Sequence, residues 1–140
     1  NLPTLSRDSY KENLVSKGAY LVKNQSNYDA SIFASGSEVE IALEASKKLE
    51  KININLRVIS FPSIELFEMQ NENYKKEIIG NKLCFAVEAG VVNGWEKYID
   101  HENFIGMNSF GASGPYQDVY GYFGITADYI FEKIKQKLNS

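Results

Sequence analysis

Short apolar runs of strand length, separated by segments of helical period, constrain this chain more than any other feature. The runs fall at residues 19–23, 30–35, 55–60, 82–88 and 103–107. Several are nearly unbroken, as in Leu83-Cys84-Phe85-Ala86-Val87. An unbroken run marks a strand covered on both faces, whereas a strand with one wet face alternates. Strand–helix–strand order then calls for right-handed parallel crossovers. The expected fold class is α/β, a three-layer α/β/α sandwich around a mostly parallel sheet. A chain of 140 residues has room for one such domain and little more. Residues 1–18 are polar and irregular and read as a linker or arm, which leaves the domain at 19–140.

The helix that begins at Ser37 has the clearest start. Ser37-Glu38-Val39-Glu40 matches a capping box, in which the Ser37 hydroxyl accepts from the Glu40 amide and the Glu40 side chain reaches back. Val39, Ala42, Leu43, Ser46 and Leu49 follow at i, i+3, i+4 spacing, and Glu44 and Lys48 are an expected ion pair on the opposite side. Near the other end of the chain Thr126 reads as an N-cap. Asp128 follows at the positive end of that helix, and Lys133, Lys135 and Lys137 lie toward the negative end. Its apolar stripe is Ala127, Ile130, Phe131, Ile134 and Leu138. Further helices are expected over 63–69 and over 115–124, the latter opened by Pro115 and stopped by Gly124.

Charge and composition exclude several function classes. The net charge is -3 and the fifteen basic residues are scattered, so a phosphate-tracking nucleic-acid surface is not expected. No apolar stretch reaches the ~18 residues of a membrane span, and no charged-then-apolar leader opens the chain. The single cysteine, Cys84, rules out an internal disulfide and a multi-thiolate metal site. It sits mid-strand and reads as an inert core thiol. A reducing, cytoplasmic setting fits. The chain opens on Asn1 rather than Met, which reads as a cut or processed boundary.

Ser35-Gly36-Ser37 is the sharpest candidate site. A small-residue turn from a buried strand into a helix presents amides and a positive dipole end, so Gly36 and Ser37 are a possible anion-binding turn. Against this, the turn lacks both glycine-rich phosphate fingerprints, and Glu38 and Glu40 would repel an anion. The sole histidine, His101, lies in a polar stretch with no nucleophile placed beside it. Glu88 ends a buried strand, where carboxylates line crevices of open α/β sheets or serve as structural partners. The loop Gly111-Ala112-Ser113-Gly114-Pro115 suits a contact or a plain connection. No catalytic, cofactor-binding or metal-binding residue stands out.

Four segments taken together resemble the C-terminal domain of transketolase. They are Ala34-Ser-Gly-Ser-Glu-Val-Glu-Ile-Ala42, Arg57-Val-Ile-Ser-Phe-Pro-Ser-Ile-Glu-Leu-Phe-Glu-Met-Gln70, Val87-Glu-Ala-Gly-Val-Val-Asn-Gly-Trp-Glu-Lys-Tyr98 and Ile105-Gly-Met-Asn-Ser-Phe-Gly-Ala-Ser-Gly-Pro115. Phe123-Gly-Ile-Thr126 follows in the family's order, and Asn1-Leu2-Pro3 is similar to the joint before the family's last domain. The first segment is shared with many thiamine-diphosphate enzymes, whereas the second and the Gly94-Trp-Glu-Lys-Tyr98 and Phe110-Gly-Ala-Ser113 pieces are particular to transketolase. Gly114 departs from the family's usual alanine.

The resemblance implies a mixed five-stranded sheet with the first strand antiparallel. It implies a full-length homodimeric parent that uses thiamine diphosphate and a divalent metal (Mg or Ca). That parent moves a two-carbon ketol unit from a ketose phosphate to an aldose phosphate in the pentose phosphate pathway. In the family the cofactor lies between the other two domains, and its Gly-Asp-Gly motif has no counterpart here. No catalytic residue carries over. The expected role is therefore that of a structural domain packed against the preceding domains of its own chain. Part of the aromatic group Trp95, Tyr98 and Phe110 is expected to share that interdomain surface, the alternative being that Trp95 closes one end of the core. Two alternatives stand beside it: a regulatory domain holding a phosphorylated metabolite or nucleotide at Gly36-Ser37, or the same domain of a relative such as dihydroxyacetone synthase.

Overall fold

In the computed structural model, residues 16–88, 97–106 and 126–139 are described. The chain runs through strand β1 (Tyr20–Lys23), strand β2 (Ala30–Ala34), helix α1 (Glu38–Glu50) and strand β3 (Leu56–Ser60). Helices α2 (Ile64–Glu68) and α3 (Glu72–Ile79), strand β4 (Leu83–Glu88), a short 3-10 turn (His101–Asn103), strand β5 (Phe104–Gly106) and helix α4 (Ala127–Leu138) follow. Each strand lies within a residue or two of its expected range. The expected helix over 115–124 lies outside the described residues.

The strands form one five-stranded sheet in the order β1-β3-β2-β4-β5. β1 is antiparallel to β3, with Leu21 opposite Ile59, and the other pairings are parallel. This is the mixed sheet that the family resemblance implied. Every residue of β2 and β3 is buried, as unbroken apolar runs require. Side chains alternate across the sheet. Ile32, Leu56, Val58, Phe85 and Val87 join one core, and Phe33, Ile59, Cys84 and Ala86 join the other. Each large side chain that leaves water in this way contributes about 1.5–3 kcal/mol.

Strand order decides which face each helix covers. The β2 to β3 connection steps one way, and β3 to β4 crosses back over β2. Right-handed crossovers moving in opposite directions place their helices on opposite faces. Accordingly α1 packs Ala42, Ala45 and Leu49 on the first core, beside Ala127, Ile130 and Ile134 of α4. Phe67 of α2 and Ile78 of α3 cover the second. That layer is aromatic, with ring centroids 5.0 Å apart for Phe33 and Phe61, 4.9 Å for Phe61 and Phe67 and 5.8 Å for Phe67 and Tyr98.

Local expectations fail in two places, each for a physical reason. Ser37 makes no capping bond, because its backbone is already helical at φ -69 and ψ -17. The break in conformation falls one residue earlier, at Gly36 with φ +58. The turn is closed by backbone bonds from Glu38 N to Ser35 O (3.1 Å) and from Val39 N to Gly36 O (3.2 Å). Lys48 does not pair with Glu44; its ammonium reaches across to Asp128 of α4 at 3.2 Å. The expected helix over 63–69 is α2, capped by Ser63, which accepts from Leu66 N at 3.2 Å; α3 follows as a further helix, where Asn71 caps by accepting from Tyr74 N at 2.8 Å. Thr126 caps α4 as expected, accepting from Tyr129 N at 3.1 Å.

Candidate functional site

β2 and β4 are neighbours whose outgoing connections leave in opposite directions, β2 toward β3 and β4 toward β5. In an open α/β sheet the crevice beyond the carboxyl ends of such a pair is where ligands bind. Here that edge carries the Ser35-Gly36-Ser37 turn after β2 and the backbone of Glu88 at the end of β4. Gly36 and Ser37 are exposed. Their amides have no hydrogen-bond partner among the described residues. A Cβ built on Gly36 would meet no described residue within 4 Å, so none of the described elements is pressed against the turn. The first turn of α1 carries Glu38 and Glu40, whose carboxylates oppose the dipole that would attract an anion.

A second polar assembly lies at the opposite, amino-terminal edge. Arg57 of β3 is only 3% exposed. Its Nε donates to Ser31 Oγ at 2.9 Å, its Nη1 to Glu77 O at 3.1 Å and its Nη2 to Ile78 O at 2.7 Å. The guanidinium also lies 4.2 Å from the centre of the Tyr28 ring. Burial pulls its pKa below the ordinary arginine value, and Tyr28 partly offsets this. Two of its nitrogens hold the carboxyl end of α3 and the third holds β2, so the side chain ties that helix to the sheet. This is a structural clamp.

Two further groups are similarly committed. Cys84 is buried and its pKa is pushed up to about 11 by that burial, so it carries no thiolate at neutral pH. At the carboxyl edge, the Tyr98 hydroxyl donates to Glu68 Oε2, and Lys97 Nζ lies 3.3 Å from Glu68 Oε1. The Tyr98 bond, with help from Lys97, lowers the Glu68 pKa, while burial and Glu68 raise that of Tyr98. Tyr98 meets Phe67 edge-on, so it is tied to this domain's own core. Trp95, Phe110 and the 111–115 loop lie outside the described residues, as do the side chains of Glu88 and His101.

Among the described residues no three His, Cys, Asp or Glu side chains converge as a metal-ligand set. A thiamine diphosphate–metal pair needs such carboxylates to hold its cation and a cradle for its diphosphate. The open helix start at Gly36-Ser37 carries two glutamates in its first turn. The described residues do not fit that group, and no step through it is derived from them.

The sequence reading missed Arg57 and Asn103. Both are polar residues that the fold buries, at 3% and 2% exposure. In the sequence each stands beside apolar neighbours, Leu56 and Val58 or Phe104 and Ile105. A charge or amide inside such a run was the available signal.

Comparison with known proteins agrees with this architecture. The family model described as the transketolase-like TK C-terminal domain matches residues 18–126. Transketolase of Rhodobacter capsulatus is 40% identical over 99% of this chain, and that of Bacillus subtilis 39% identical over 99%. In both cases the match spans 22% of the relative's length. The solved structure of transketolase from Leishmania mexicana superposes with a TM-score of 0.78 at 36% identity, over 91% of this chain and 19% of its own. The chain thus spans about a fifth of the relatives it matches. It belongs to the transketolase family, as a C-terminal domain of that family.

Proposed function

We propose that this chain is a structural, non-catalytic module. It packs against the preceding domains of a transketolase and helps shape that enzyme's homodimer. The ketol transfer between sugar phosphates, the thiamine diphosphate and its divalent metal belong to the other domains of the parent, which works in the cytoplasm. The observation that carries this reading is the extent of the match: nearly all of this chain aligns, yet with only 22% of a transketolase. The surface supports it. Met69, at the end of α2, is 76% exposed and Leu66 38%, and both stand at the carboxyl edge of the sheet. A second reading, an anion-binding regulatory turn at Gly36 and Ser37, has their two unpartnered amides in its favour and the neighbouring Glu38 and Glu40 against it.

Calorimetric titration of the chain with thiamine diphosphate and magnesium tests the proposal. No heat of binding and no glycolaldehyde transfer are expected from the chain alone. Saturable micromolar binding would overturn the reading.

A further inference from the structure

A cleft of about 220 Å³ opens between β5 and the carboxyl-terminal half of α4. It lies over the first core, on the face of the sheet that α1 and α4 cover. Phe85 and Ile105 supply its apolar wall, and Glu102, Asn103, Lys133 and Lys137 its polar one. One bridging water needs only about 10–15 Å³, so the cleft holds something considerably larger than a single water.

Asn103 is the unusual member. It is 2% exposed, and its backbone is pinned where Asn103 N donates to Asp100 O at 2.8 Å. Its Oδ1 is buried and has no hydrogen-bond partner among the described residues. Leaving such an acceptor unsatisfied is costly, and a leucine of similar shape would avoid the cost. The asparagine χ2 torsion is broad, so the amide can turn toward an occupant of the cleft without leaving its backbone position. Around it, Lys137 pairs with Glu102 at 2.9 Å. Lys133 has no carboxylate partner among the described residues, and its ammonium lies 5.8 Å from the Tyr129 ring centre. Among its described lining residues two lysines stand against one glutamate, a net positive charge.

We propose that this cleft binds a small hydroxylated anion. A hydroxyl of the ligand meets the Asn103 amide, the carbon chain lies on Phe85 and Ile105, and the anionic group sits at Lys133 with Lys137 behind it. The site is independent of the docking role proposed above, because it lies over the first core, on the opposite face of the sheet from α2, which carries Leu66 and ends at Met69. Phosphate and carboxylate both satisfy the lysines, so the anionic group is left to the experiment.

The test is a titration of the 140-residue chain followed by its side-chain amide and backbone NMR signals. The probes are glycerol 3-phosphate, glycerate, glycerol and inorganic phosphate. Glycerol 3-phosphate or glycerate should shift the Asn103 side-chain amide saturably, and the tighter of the two identifies the anion. Glycerol and inorganic phosphate should each bind at least tenfold more weakly, for want of one half of the recognition. Lys133→Gln should weaken binding about tenfold with an unchanged melting temperature. Asn103→Leu should abolish the saturable backbone amide shifts while leaving the melting temperature equal or higher. No saturable shift at millimolar probe overturns the proposal, and so does inorganic phosphate binding as well as glycerol 3-phosphate. A lowered melting temperature for Asn103→Leu would assign that amide a structural partner and overturn it equally.

Discussion

The guanidinium of Arg57 reaches from β3 to the Ser31 hydroxyl of β2 at 2.9 Å. From there its other two nitrogens turn to the last carbonyls of α3. One side chain thereby fixes the distance between the central strands and the helix that leads into β4. Arg57→Met removes all three donors and leaves buried acceptors behind. It should cost about 2–4 kcal/mol in urea unfolding, since each unsatisfied buried group costs about 1–3. Arg57→Lys should recover little of this, because a point charge cannot reproduce the planar fork. A lysine variant as stable as the parent would remove the clamp from the account.

Gly18 and Gly36 have the same sign of φ but very different surroundings. At Gly18, φ is +84 and a Cβ would overlap the backbone of Phe67 and Ser63, while Gly18 O accepts from Ser63 N at 3.1 Å. At Gly36 a Cβ would meet no described residue within 4 Å. Gly36→Ala should therefore cost only the left-handed penalty, about 1–2 kcal/mol. Gly18→Ala adds displacement of α2 to its own strain and should cost at least about 3 kcal/mol. Denaturant midpoints of the two variants check the ranking, and equal shifts would contradict it.

The two helix starts that look alike in sequence should respond differently to alanine. Thr126 accepts from Tyr129 N, whereas Ser37 makes no capping bond. Thr126→Ala is expected to lose about 0.5–2 kcal/mol. Ser37→Ala should stay within about 0.5 kcal/mol of the parent. Thermal melts of the pair measure the difference, and a Ser37→Ala loss as large as that of Thr126→Ala would restore the capping box.

Stability toward acid should depend on Tyr98. The folded pKa of Glu68 is held below its ordinary value of 4.5, first by the Tyr98 hydroxyl and then by Lys97. The unfolded state therefore takes up the proton first. The contribution is complete above pH 4.5 and is lost as pH falls through the folded value. Tyr98→Phe removes the largest cause, so its stability should fall less steeply with pH below 4.5 than that of the parent. Urea midpoints measured from pH 6 to pH 3 read this slope directly. Parallel curves for the two proteins would show that the bond does not couple to the carboxylate.

Acting alone, the sequence determined the layers and the strands. Burial of an apolar run is a property of the run itself, so Ala30–Ala34 and Leu83–Glu88 were legible without knowledge of their neighbours. The α4 cap was legible for the same reason, since Thr126 and Tyr129 are three residues apart. Tertiary structure decided what depends on partners distant in the chain. The antiparallel edge strand β1 is one case, because pairing direction leaves no trace in hydrophobic period and came only through family resemblance. Lys48 is another: a helix-surface lysine has several reachable carboxylates, and the packing of α1 on α4 selected Asp128 over Glu44. The candidate turn divides along the same line. Its composition announced a bend after β2, but only the folded backbone shows that Gly36, at φ +58, absorbs it while Ser37 is already helical. Arg57 and Asn103 illustrate the limit most plainly. Composition places polar side chains in water by default, and only a fold that brings Ser31 and the end of α3 to Arg57, or closes α4 over Asn103, can bury them.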